Sequence, residues 1–343
     1  MSSTHKPLSA LVITTLIVGL SACSDAPVTQ VYLDRLSNVL KVELSESHAD
    51  SVAWGDLQLP AEQQRLITPA SDLAGTLSIR EFMGLKQCRL HHVLAQRNSP
   101  MGRLAVASQQ LINDVQIIRA IPACIKTIEG SQPKLAKKLR ATLQSKRDQL
   151  DEAVARALIA GPEYSAFWRL HKNATPIQDS LAADSLDYFI SLLQGQTVAL
   201  GELEQHLDRL RQGGAGQWLS QLMIFTSAME TANQLVEERL RNPLCLNNTP
   251  TTQATYFSNV VDKVYIAQVQ SQAVVLERIA TNLMPAIRTL EEELLEQLSP
   301  SYHAWRLARN ESISRGRQAA KNHTQRLAKL YKQCGLSVGN RAA

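Results

Sequence analysis

Five cysteines carry the clearest chemistry in this chain: Cys23, Cys88, Cys124, Cys245 and Cys334. Cys23 stands directly after a short apolar run, and setting it aside leaves an even four. Residues 1–22 have the plan of a secretory signal peptide: a polar start with Lys6, an apolar stretch over 8–19, then small residues. Export to an oxidising compartment makes four remaining thiols a disulfide framework. Three connectivities are open; Cys88–Cys124 with Cys245–Cys334 is preferred, because each half of the chain then closes its own staple. Zinc is a poorer reading, since neither a C-x₂-C pair nor clustered His accompanies them. His91 and His92 are adjacent and diverge by about 100° on a helix. His171, His206, His303 and His323 are scattered, without metal-ligand spacing. Ser99 lacks the flanking glycines of a nucleophile elbow, and no glycine-rich phosphate loop exists. The one polar cluster that stands out is Arg97, Asn98 and Ser99. Arg and Asn there could hold a carboxylate or a sugar, or the trio could simply end a helix. These observations name no catalytic residue, no metal ligand and no cofactor.

Leu20-Ser21-Ala22-Cys23 resembles the lipobox of bacterial lipoproteins. The resemblance implies that the Cys23 sulfur takes a diacylglyceryl group, that 1–22 is removed, and that the new amine is acylated. Several chains anchor far more firmly than one. Ser24 follows the cysteine where Asp would direct retention, which implies the outer membrane, periplasmic face. The segment 8–19 is shorter than the roughly 20 residues of a membrane-spanning helix.

The remainder must position these groups, and it reads as helix. Residues 23–30 form a tether. Val31, Leu33, Leu36, Val39, Leu40 and Leu44 share one helical face. Residues 45–77 hold Trp54, Gly55, Pro60, Pro69 and Gly75 and read as a long wrapped loop. Helices follow over 78–96, from a Ser108 cap to about Pro122 and Cys124, and over 134–159. Leu186, Leu193, Leu200 and Leu207 recur every seven residues before the turn Gln212–Gly216. Trp218, Leu222, Phe225, Met229, Ala232 and Val236 follow it, predicting two antiparallel helices. A stripe over 254–298 would span about 67 Å unbroken, with a kink at Pro285. The last helix is expected from about Gln318 to Cys334, with Gly335 as its stop.

Two segments echo one another. Pro162-Glu163-Tyr164 leads to Trp168-Arg169-Leu170, and Pro300-Ser301-Tyr302 leads to Trp305-Arg306-Leu307. Pro122-Ala123-Cys124 likewise parallels Pro243-Leu244-Cys245. A duplication of a helical unit, near 105–195 and 226–335, is one reading of this. In each Trp-Arg-Leu the Arg can lie over the indole.

The chain has 36 Lys or Arg against 31 Asp or Glu. Residues 301–343 hold nine basic residues and one acid, Glu311. That run reads as a solvated helix face or a face for anionic lipid or wall polymer. Basic motifs interleaved with aromatics are lacking, and an exported chain has little call for nucleic acid.

Together the lipobox, Tyr32-Leu33-Asp34-Arg35-Leu36, Cys88 with Gln96–Gly102, Asn242-Pro243-Leu244-Cys245 and Lys332-Gln333-Cys334-Gly335 resemble an uncharacterised family of Gram-negative lipoproteins. The likeness would cover nearly the whole mature chain and implies no activity. The expected fold is all-α: an elongated antiparallel bundle of about seven or eight helices over 31–335, with 336–343 a flexible end. The expected function is a binding or adaptor module, held to the membrane through its N-terminal lipid and gripping an envelope protein or wall polymer. An envelope enzyme acting on glycan or peptide is the alternative.

Overall fold

A computed structural model describes residues 26–43, 54–61, 77–171 and 182–336. The signal segment, Cys23 and most of the expected wrapped loop, apart from 54–61 and 77, lie outside the described residues. Helix dominates and no strand occurs among the described residues. The elements are α1 (Val28–Leu40), α2 (Ile79–Gly84), α3 (Arg89–Asn98), α4 (Pro100–Arg103), α5 (Ala107–Ile128), α6 (Pro133–Asp148) and α7 (Leu150–Ala157). After them come α8 (Pro162–Phe167), α9 (Ala182–Leu193), α10 (Leu203–Gln212), α11 (Ala215–Arg241), α12 (Thr252–Val260), α13 (Gln270–Glu293) and α14 (Pro300–Gln333). A π-helical segment, Val261–Val269, joins α12 to α13 without a break. The helices are therefore more numerous than the seven or eight expected.

Several boundaries differ from the sequence expectation, each for a local reason. Cys88 is extended and caps α3, so the single helix expected over 78–96 is split. Ser108 is no cap: Val106 precedes α5, and Ser108 is buried inside it. α5 continues through Pro122 to Ile128, because the packing of Ile121, Cys124, Ile125 and Ile128 outweighs the hydrogen bond that proline forfeits. Gln149 divides α6 from α7. The expected Gln318–Cys334 helix instead starts at Pro300, where the Ser299 hydroxyl accepts from the Tyr302 amide at 3.1 Å. Pro at the first helical position starts this helix rather than ending one. Pro285 sits within α13, and the π segment precedes that helix.

The Gly-rich turn does not fold α10 back along α11. Gly214, at φ +64°, redirects the chain; α10 packs on α8 and α9, whereas the main neighbour of α11 is α14. A left-handed residue here is cheap only for glycine. At the α11–α14 crossing Gly316 meets Leu222 and Thr226 so closely that a Cβ would collide with the Thr226 hydroxyl. That clearance allows the most extensive helix–helix contact among the described residues.

Two hydrophobic cores result. The larger unites α1, the first turns of α5 and the helices from α7 onward; the smaller is formed by α3, the later turns of α5 and α6, with Leu85 of the α2–α3 turn. Each holds one disulfide, Cys245–Cys334 in the larger and Cys88–Cys124 in the smaller, with Cα atoms 5.0 and 5.2 Å apart. Both pairings agree with the preferred connectivity.

Candidate functional site

The two echoing segments meet in the larger core. Trp168 and Trp305 lie edge to face with centroids 5.0 Å apart, and the Tyr164 and Tyr302 hydroxyls are 2.7 Å apart. Arg309, with no exposed surface, sits 5.1 Å from the Trp168 ring and 4.9 Å from the Trp305 ring. The cation over the indoles is therefore Arg309 of α14. It is not the Arg of either Trp-Arg-Leu: Arg169 is exposed and Arg306 half-buried, and the cation over both rings is Arg309. Arg309 grips Glu291 of α13 through Nη1 and Nη2, at 2.7 and 2.9 Å. Burial works against its charge, and the Glu291 carboxylate more than offsets this, so its pKa is raised.

The proton order here follows from valence. Glu291 Oε1 accepts from Tyr302 at 3.0 Å, which uses the only hydroxyl proton of Tyr302. Tyr164 must therefore donate to Tyr302. Burial raises both phenol pKa values, so each keeps its proton. Trp305 Nε1 donates to the Leu57 carbonyl at 2.9 Å and fastens the segment 54–61 over this hub. Trp168 Nε1 is buried without a hydrogen-bond partner; the other polar groups of the hub are interior and partnered, and together they set the relation of α8, α13 and α14.

One layer away lies a second polar chain. Tyr32 of α1 is 2.6 Å from His323 Nε2, and His323 Nδ1 is 3.2 Å from Asn233 Oδ1. Asn233 donates through Nδ2 to the Ala319 carbonyl. Its oxygen thus faces Nδ1, which carries the ring proton, and Nε2 accepts from Tyr32. Burial, with Arg326 adding to it, lowers the His323 pKa to about 3.

An apolar recess lies between α11, α13 and α14. It is a cleft of about 180 Å³ lined by Trp218, Phe225, Leu276, Ala280, Ile313 and Gly316. Tyr32 packs against Tyr265, and Gln253 donates to the Val39 carbonyl, so α1 runs antiparallel to α12 and the π segment. Glu277 and Arg317 bridge the mouth by two hydrogen bonds of 2.7 Å. Trp218, at the floor, donates to the Leu276 carbonyl at 3.0 Å.

The sequence-predicted polar cluster lies elsewhere. Arg97 and Asn98 end α3, and Ser99 caps α4: its hydroxyl accepts from the Gly102 amide at 3.1 Å and donates to the Gln96 carbonyl at 2.7 Å. Arg103 donates to the Asn98 carbonyl. Those bonds hold the α3–α4 corner, apart from both the hub and the cleft. The hub was signalled in the sequence by the paired Tyr and Trp. The cleft had no signal, because its lining is ordinary stripe residues. No group of three or more His, Cys, Asp or Glu suited to a metal occurs among the described residues.

These features define a class: an all-α protein with two disulfide-clipped cores, a buried aromatic ion-pair hub and one apolar cleft. The chain belongs to a family described as protein of unknown function (DUF3080), whose model matches residues 29–338. No curated protein and no solved structure matches it.

Proposed function

We propose that the chain is an envelope lipoprotein, held through acylated Cys23 at the periplasmic face of the outer membrane, and that it works there as a binding module. The lipobox-like Leu20-Ser21-Ala22-Cys23 supports the anchor. Two disulfides support an oxidising compartment.

The observation that carries the binding role is the apolar cleft between α11, α13 and α14. Its size compares with a cavity of about 150 Å³ that takes a benzene ring. It therefore suits one aromatic side chain or a short acyl segment of a partner. The only carboxylate in its lining, Glu277, is engaged by Arg317. Hydrolysis of a glycan by the usual route calls for two carboxylates across the bond, so the cleft supports binding over that chemistry.

A photo-crosslinking residue at Ala273 tests this in intact cells, with Glu204 on α10 as the outward control. The expected result is a discrete adduct from position 273 only, lost when Ala320→Phe fills the cleft while helicity is retained. Absence of an adduct, or the same adduct from position 204, would overturn the reading.

A further inference from the structure

Four arginines of α14 are matched by acids on neighbouring helices: Arg309 by Glu291, Arg315 by Glu230, Arg317 by Glu277 and Arg326 by Glu237. A larger local excess of basic charge lies in the smaller lobe. Residues 78–148 hold thirteen Lys or Arg against four Asp or Glu, an excess of nine. The whole chain has an excess of only five, so everything outside this lobe is net acidic. Three of the four acids are already committed inside the lobe, Glu81 to Lys138, Asp114 to Lys146 and Glu129 to Arg140.

The tip of this lobe combines that charge with exposed apolar surface. Gln132, between α5 and α6, donates to the Gly84 carbonyl, which draws α2 against the start of α6. Arg80 and Lys134 then line one open depression. On α2, Ile79 and Met83 are one turn apart and 84 % and 45 % exposed, and no residue of this helix is buried. Lys86 follows this helix by two residues, and Lys137 stands one turn beyond Lys134 on α6, next to the Lys138 that pairs with Glu81 of α2; both are exposed. A short helix with an outward apolar pair inside a basic rim has the make-up of an interfacial membrane contact.

We infer that the α2 tip of the smaller lobe, Ile79 and Met83 ringed by Arg80, Lys86, Lys134 and Lys137, docks on the anionic phospholipid surface of a bilayer. The apolar pair selects this occupant. A soluble polyanion would satisfy the charges and leave Ile79 and Met83 in water, whereas the headgroup–acyl boundary accepts both. The lipid-anchored reading would keep such a surface near, and the docking itself needs neither the anchor nor the cleft.

Hydrogen–deuterium exchange of the full chain tests this on vesicles of phosphatidylethanolamine with phosphatidylglycerol, against phosphatidylcholine alone. The expected result is slowed exchange over residues 78–88 and 130–138 on the anionic vesicles only, removed by high salt. Arg80→Gln/Lys134→Gln/Lys137→Gln, all surface changes, should weaken this contact by about a hundredfold at the usual contribution of each basic residue near an anionic surface. Equal protection on phosphatidylcholine, none on either vesicle, or the same protection by dextran sulfate without lipid would overturn the inference. A failed anchor would show separately, as loss of the chain from phosphatidylcholine vesicles with the anionic protection intact.

Discussion

His323 shows how one buried side chain can be fixed in both charge and tautomer. Its ring is closed in by Tyr32, Tyr265 and Asn233, with centroids 5.6 and 4.8 Å from the two tyrosines. Protonation would turn Nε2 into a donor at the cost of the bond it accepts from Tyr32, burial disfavours the charge, and Arg326 adds repulsion. The folded chain therefore stays neutral here down to about pH 3, while the unfolded chain takes a proton near pH 6.5. This contribution to stability is complete above about pH 6.5 and is lost as the pH falls toward 3, at about 1.4 kcal/mol per pH unit. Urea unfolding of the native chain and His323→Gln across pH 3–7 should give curves whose difference carries that one-proton slope. Parallel curves would contradict the assignment. None of this was legible in the sequence, where His323 is one of several scattered histidines, because its partners lie 90 and 291 residues away.

At the scale of elements, α14 is held to α13 by Arg309 and Glu291. Removing one member strands the other charge among Trp168, Trp305, Tyr164 and Tyr302. Glu291→Gln is expected to cost about 3–5 kcal/mol, whereas Arg309→Met/Glu291→Leu recovers most of that loss, as apolar replacement of a whole buried pair commonly does. Denaturant midpoints check both, and a cost below about 1 kcal/mol for Glu291→Gln would show that the hub does not bind the helices together. The all-α class was plain from the periodic Leu, Val and Ile, and of the three connectivities the cysteine count left open, the preferred one is the one the fold contains. Helix ends were harder to read. Pro300 looks like a break in isolation and acts as a start once Ser299 caps it. Pro122 looks like a stop and is carried through by the packing around it. The heptad leucines span two helices, since Gly195, at φ +72°, turns the chain between them. Periodicity reports which residues want one face and is silent on where a loop interrupts it.

The whole molecule is two cores with different characters. The larger one, net acidic outside its ion pairs, contains the hub and the cleft; the smaller one carries the basic excess and the exposed α2 tip. No described helix is long and apolar enough to cross a membrane. α5 links the two, burying Leu111 and Val115 in the larger core and Ile117 to Ile128 in the smaller. This division was invisible in overall net charge, which sums two opposite halves. The cleft is proposed to accept an apolar group, and Trp218 at its floor reports on that directly. The deciding measurement is fluorescence quenching by a six-carbon chain brominated at its end, in the native chain and in Trp218→Phe. The account predicts saturable quenching in the native chain that Trp218→Phe abolishes and that Ala320→Phe blocks. Quenching that is absent, unsaturable or unchanged in Trp218→Phe would contradict it.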